Sequence, residues 1–228
     1  MVDAVLLELE GVVFDTRELR RLSLRDALLE QGLAPTIDHD AIDGSTPRAA
    51  VTRSLALQAL EHDDVLAGIL SARVERAFSS HLAASGAALC DGARTFIEDA
   101  AASARLAIVT NARRGDVDTL LRLASLGDCF SVIVATEDAL EEKPSPEAHR
   151  LALGRLSKRR PVTMKRTLAL EHALAGIRAA RDAGITCVAV GPLAAHVAME
   201  ADAYVSSLAP HTIRSLDHFV RTGEEQVQ

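Results

Sequence analysis

The sequence predicts an α/β fold: a parallel central sheet flanked by helices, with an all-helical segment inserted after the first strand. Three observations carry this. Short apolar runs alternate with helix-period patterns, as in sheets whose strands are joined by helical crossovers. The stretch from 17 to 87 breaks that alternation and carries helical patterns only. The first run, Ala4-Val5-Leu6-Leu7, leads into Glu8-Leu9-Glu10-Gly11, two alternating carboxylates before a glycine. An open α/β sheet presents a charged site in this way, at the carboxyl edge of its strands.

Each element has its own signal. Strand-like runs cover Val5 to Leu7, Leu106 to Val109, Val132 to Ala135, Leu168 to Leu170, Cys187 to Val190 and, briefly, Ala203 to Val205. In the insert, Leu24, Ala27 and Leu28 precede Gly32; Val51 and Leu55 follow, then Leu66, Leu70, Val74 and Ala77. Further on, Val117, Leu120, Leu121 and Ala124 form an i, i+3, i+4, i+7 stripe, with Gly127 as its stop. Ser145 and Pro146 suit the N-cap and first turn of a helix running towards Gly154. Leu174, Ile177 and Ala180 share one face of a helix closed by Gly184. The tail from Thr222 to Gln228 is expected to fray.

Composition removes whole classes of function. The chain has 228 residues, enough for a large domain or a core domain with a small insert. Hydrophobic residues make up 48% and aromatics 3%, so Ala, Leu and Val must fill the core. A net charge of −7 argues against nucleic acid as a partner, since phosphate neutralisation needs a basic face. The one basic run, Lys158-Arg159-Arg160, reads as a solvated loop. No run of about 20 apolar residues offers a membrane span, and because the chain enters its first strand at once, no signal peptide is expected. Cys90, Cys129 and Cys187 lie far apart with no CxxC pair, and read as buried free thiols of a cytoplasmic protein. Oligomeric state stays open between monomer and homodimer.

Four segments carry chemistry. The first is Glu8-Leu9-Glu10-Gly11-Val12-Val13-Phe14-Asp15-Thr16; the second is an apolar run ending in Thr110-Asn111; the third is Lys143-Pro144-Ser145-Pro146-Glu147. The fourth is Glu171-His172-Ala173, followed by an amphipathic helix containing Gly176 and closed by Gly184. Their order and spacing resemble the four motifs of the haloacid dehalogenase superfamily, in which DxDGVxxDT opens the chain, a Thr or Ser follows the second strand, KPxPxxF carries a lysine, and an acidic pair ends a later strand. The resemblance extends over nearly the whole chain, and is to the branch of phosphoglycolate phosphatase and beta-phosphoglucomutase.

That resemblance implies a Rossmann-like three-layer core of residues 1–16 and 88–228, and a small helical cap of residues 17–87. It implies a nucleophile at Glu8, an acid/base at Glu10, phosphate contacts at Thr110, Asn111 and Lys143, and a Mg2+ site at Glu8, Glu10, Glu171 and His172. Arg48, after Gly44-Ser45-Thr46-Pro47, stands where related enzymes place a phosphate contact or is an ordinary surface arginine. Thr36 to Arg48 is the stretch expected to face the site. Asp138 stands where relatives carry a supporting acid, and Asp15 and Thr16 fix the exit into the cap. The chemistry of the donors agrees: a carboxylate can approach a phosphoryl group only when donors and a cation offset their repulsion.

Three departures fall on the chemical positions. Glutamates stand at 8 and 10 where that family has aspartates, and His172 stands where it has an acidic metal ligand. One extra methylene moves the attacking oxygen by about 1 Å, and a displacement of about 1 Å can cost on the order of a hundredfold in rate. Mg2+ prefers oxygen ligands, so an imidazole weakens its site; His172 either joins Glu8 and Glu171 around Mn2+ or Zn2+, or sits neutral as a helix cap. Ala173 also lacks the hydroxyl usual at the next position. The expectation is a protein that binds a small phosphorylated metabolite or anion, with weak Mg2+ affinity and weak or no phosphatase activity. The alternative is an active metal-dependent phosphatase or phosphomutase with Glu8 as nucleophile and Glu10 as acid/base.

Overall fold

The computed structural model describes residues 2–37, 46–60, 64–158 and 160–223. The chain divides into two compact units: residues 1–15 with 88–228, and residues 16–87.

The larger unit is an α/β sandwich. Among the described residues, six strands make a parallel sheet in the order β5-β4-β1-β6-β7-β8: β1 (Ala4–Leu7), β4 (Arg105–Val109), β5 (Phe130–Val134), β6 (Thr167–Glu171), β7 (Thr186–Val190) and β8 (Ala203–Val205). Parallel strands with helices on both faces are apolar almost throughout, and every residue of β1 is buried. Burying each leucine of β1 contributes about 1.5–3 kcal/mol. The helices of this unit are α4 (Ala93–Ser103), α5 (Arg114–Ala124), α6 (Glu147–Leu156), α7 (Leu174–Asp182), α8 (Ala195–Ala198) and α9 (Ile213–Thr222).

Register places the chemistry. Leu7 lies opposite Ile108 of β4 and Leu170 of β6. Glu8, Thr110 and Glu171 therefore lie side by side at the carboxyl ends of three adjacent strands. The chain turns at Gly11 and returns as β2 (Phe14–Asp15), which pairs antiparallel with β3 (Ala88–Leu89) on either side of the departure into the second unit. Neither short strand carries a sequence signal, because two residues cannot show a period.

The second unit is helical: α1 (Arg17–Glu30), α2 (Pro47–Leu57) and α3 (Asp64–Ser85). Its core is Leu24, Ala27, Leu28, Val51, Leu55, Leu70 and Val74, with Leu66 packed against it. The Arg20 guanidinium lies 3.6 Å above the Phe78 ring, a cation–π contact that adds to the packing of α1 on α3.

Several local expectations need correction. The stripe on α5 ends at Ser125, a left-handed residue with φ 55°, rather than at Gly127. Pro146, not Ser145, is the N-cap of α6, and Gly154 lies inside that helix; a residue without Cβ is tolerated within a helix at a cost of about 1 kcal/mol. Only Cys187 is buried; Cys90 and Cys129 are half-buried. Helix α4 adds an element whose signal is also in the sequence: Ala93, Phe96, Ile97 and Ala100 have helical spacing and are its buried face. Thr222 ends α9, whereas residues 224–228, Arg159 and residues 38–45 of the 36–48 stretch lie outside the described residues.

Candidate functional site

The site is a dry cluster at the carboxyl ends of β1, β4 and β6. Lys143 reaches it from the loop before α6, with its side chain 2% exposed. Its ammonium donates to Glu8 Oε2 at 2.6 Å, the Val109 carbonyl at 2.7 Å and Glu171 Oε1 at 2.8 Å. An ammonium has three donors, so all are spent. The loop is held by a further bond, from the Lys143 backbone N–H to Asn111 Oδ1 at 3.2 Å.

Glu8 is fastened at both oxygens. Oε2 takes the lysine, and Oε1 accepts the N–H of Leu9 at 2.8 Å, with Glu10 N farther off at 3.5 Å. Its extra methylene lets the carboxylate curl back onto its own turn, so Glu8 occupies loop donors that an incoming anion would otherwise take. The Thr110 hydroxyl accepts the Ala112 N–H at 3.1 Å. Helix α5 begins only at Arg114, so Thr110 and Asn111 lie in the turn before it rather than at its start.

Electrostatics divides the two acids. Burial, together with the nearby Glu171 charge, raises the Glu8 pKa despite Lys143. Burial also opposes the charge on Glu171, but the Lys143 ammonium and the bond from His149 outweigh it and hold that pKa low. Lys143 loses from burial and gains more from the two acids, so its pKa rises. One ammonium faces two carboxylates, and Glu8 is the one nearer to accepting a proton.

His172 is built in by packing. Its Nδ1–H donates to the Val190 carbonyl at 2.8 Å, which fixes the tautomer and leaves Nε2 buried with no partner among the described residues. A Cβ on Gly11 would lie 2.2 Å from its Cδ2, and one on Gly191 would lie 2.8 Å from Nδ1. Both glycines also have positive φ, 80° and 98°. The histidine does not cap α7, whose N-cap is Ala173 with no side-chain bond.

These residues do not fit Mg2+. The ammonium of Lys143 already joins Glu8 to Glu171. The other oxygen of Glu171, Oε2, points at the helix backbone, 1.9 Å from where a Cβ of Gly176 would stand. The His172 ring is wedged between two glycines. Among the described residues, no three His, Cys, Asp or Glu side chains gather as a metal site. Glu10 is half-buried in the turn after β1. Arg48 lies in the helical unit and pairs with Asp64 at 2.7 Å, both exposed.

Two residues that matter here escaped the sequence. His149 is fully buried on α6, with Nε2 2.9 Å from Glu171 Oε1. Its signal was a histidine on a helix face otherwise made of Ala152, Leu153 and Leu156. Gly176 was seen only as part of a pattern; its role is to leave room for the Glu171 carboxylate.

Comparison with known proteins gives the family. A family profile described as haloacid dehalogenase-like hydrolase matches residues 5–190. The chain is 31% identical to Protein CbbY of Cereibacter sphaeroides over 198 residues, covering 82% of this chain and 84% of that protein. It is 28% identical to a protein of Thermotoga maritima named phosphorylated carbohydrates phosphatase, covering 81% and 82%. The crystal structure of CbbY from Rhodobacter sphaeroides with phosphate superposes with TM-score 0.80 at 27% identity, covering 95% of this chain and all of that one. A variant of that protein holding xylulose-(1,5)bisphosphate superposes with TM-score 0.75 at 26% identity, covering 94% and 98%.

Proposed function

This chain belongs to the haloacid dehalogenase-like hydrolase family, and we propose that its β1–β4–β6 edge binds a phosphorylated small molecule, a sugar phosphate, with weak or no turnover. One observation carries the reading: the Glu8 carboxylate is tied by Lys143 at one oxygen and by its own turn at the other. Attack on phosphorus needs an ionised carboxylate with a lone pair aimed at the reacting atom. Here the lone pairs face the lysine and the backbone, and burial favours the protonated acid.

Binding draws on what remains. A phosphate entering the turn displaces Glu8 Oε1 from the Leu9 N–H, takes that donor and the Thr110 hydroxyl, and gains from the Lys143 charge in a dry setting. A relative named for phosphorylated carbohydrates, and CbbY structures holding phosphate and a sugar bisphosphate, support the ligand class.

The test is a turnover assay on an aryl phosphate and a sugar-phosphate panel with Mg2+, Mn2+ or Zn2+, run beside calorimetric binding of the same sugar phosphates. Wild type is expected to bind without turning over, and a Glu8→Asp, Glu10→Asp, His172→Asp triple variant to gain turnover. Wild-type turnover that disappears in Glu8→Gln would instead establish an active phosphatase with Glu8 as nucleophile and Glu10 as acid/base.

A further inference from the structure

We propose that His149 is a positioning residue: with Gly176 it turns Glu171 inward onto Lys143, so that this lysine, rather than a divalent cation, is the fixed positive charge of the anion site. The inference rests on the reading of this edge as an anion site.

Glu171 ends β6, and nothing in the strand compels its carboxylate inward. Two features of the surrounding helices do. His149, on α6, is 0% exposed and bonds Glu171 Oε1 at 2.9 Å. A carboxylate only accepts, so His149 Nε2 carries the hydrogen. Gly176, on α7, opens the space that Oε2 fills; any side chain there would collide with it. Oε1 then has two donors, His149 and Lys143, and Oε2 has none among the described residues.

The arrangement is costly in a way that simple packing is not. Among the described residues, His149 Nδ1 and Glu171 Oε2 are both buried without partners, and a buried unsatisfied polar atom is normally avoided. A phenylalanine or leucine at 149 would fill the helix face without that cost. The histidine keeps the carboxylate ionised and aimed, and the aimed carboxylate immobilises the ammonium next to Glu8. Removing the donor leaves Glu171 free to turn away, and Lys143 then loses one of its three partners.

The chain's composition supplies the test. It has three lysines, Lys143, Lys158 and Lys165, and a buried thiol, Cys187, that reports global opening. The full chain is acylated with acetic anhydride and probed with a thiol reagent, and each site is read by mass spectrometry. In wild type, Lys143 should react far more slowly than Lys158. In His149→Phe, acylation of Lys143 should rise about tenfold, the size expected for losing a hydrogen bond to a charged group, with Cys187 still protected. In His149→Gln, whose amide can donate to Glu171, it should stay within about twofold of wild type.

Unchanged Lys143 reactivity in His149→Phe, with Cys187 protected, would overturn the proposal. So would a rise in Lys143 and Cys187 together in both variants, which marks a merely structural histidine. Inorganic phosphate binding is measured on the same samples and should weaken about tenfold in His149→Phe alone. Absence of phosphate binding by wild type would sink the anion-site reading while the acylation result still decides the role of His149.

Discussion

Two carboxylate clusters stand at the carboxyl edge of the same sheet, and they are built on opposite charge ratios. At the end of β5, Asp138 faces two guanidinium groups: Arg155 at 2.7 Å, and Arg114 in a shorter contact. Each arginine also donates to the Ile133 carbonyl, at 3.0 and 3.1 Å, and Ala135 N–H donates to Asp138 at 2.9 Å. At the ends of β1 and β6, two acids face one ammonium, with Glu171 1% and Lys143 2% exposed. The arginine side chains are about a third exposed, at 36% and 33%. A wet cluster with surplus cation is a fastener, tying α5 and α6 to the sheet. A dry cluster with surplus acid is poor economy for stability, because packed apolar groups would serve as well or better. That imbalance is a reason to assign function to the lysine cluster and structure to Asp138.

Lys143→Met tests the contrast with the largest expected effect. It strands the buried Glu171 carboxylate and that of Glu8, whose side chain is 13% exposed, and breaking a buried pair in this way costs about 3–5 kcal/mol. Urea denaturation should show this as a fall in midpoint at unchanged slope. Adding Glu171→Gln should return a large part of the loss, since one stranded charge is then gone; such non-additivity is the mark of groups sharing one network. A cost below about 1 kcal/mol for Lys143→Met would place this cluster in the same class as an exposed pair and erase the distinction.

Asp138→Asn probes the other side of the comparison. Its arginines stay solvated and keep the Ile133 carbonyl, so the expected cost is about 1 kcal/mol. Salt separates the two clusters further. At about 1 M salt the screening length falls to about 3 Å, so the Asp138→Asn cost should shrink while the Lys143→Met cost persists. Equal salt dependence in paired denaturation curves would contradict the assignment of one cluster as dry.

Much of this was legible in the sequence, and what was not has a physical cause. All six strands of the parallel sheet announce themselves as short apolar runs, and β1, buried along its whole length, is apolar throughout. Glu8, Thr110, Lys143 and Glu171 could be named because their segments resemble, in order and spacing, the four motifs of the haloacid dehalogenase superfamily. Their partners could not be. A carboxylate can accept from either side, and only the fold shows that Glu8 curls onto Leu9 N–H and that Glu171 turns to α6. His172 looked like a ligand or a cap, and is a ring seated between Gly11 and Gly191, 180 residues apart in sequence. His149 was passed over since its meaning lies in a contact with Glu171, 22 residues on. Asp138 was read as an acid near the site, and its two arginines make it part of the frame.

The smallest effect concerns protons, and it separates the clusters by pH. Burial pushes the His149 pKa below its usual value, so the folded chain holds this imidazole neutral while the unfolded chain protonates it near pH 6.5. Between that pH and the lower folded value the unfolded state binds more protons, and stability falls as the solution is acidified. The contribution is complete above pH 6.5. Asp138 behaves differently: burial opposes its charge, but the bonds from Arg155 and Ala135 and the arginine charges outweigh it and lower its pKa. Its contribution is complete above about pH 3.9 and is lost only below that. Subtracting the stability curve of His149→Gln from that of wild type should therefore leave a slope that begins near pH 6.5, at most about 1.4 kcal/mol per pH unit. The matching subtraction for Asp138→Asn should stay flat down to about pH 4. A flat His149 difference across pH 5 to 7 would mean that the imidazole reaches solvent, and with it the dryness on which the lysine cluster depends would be lost.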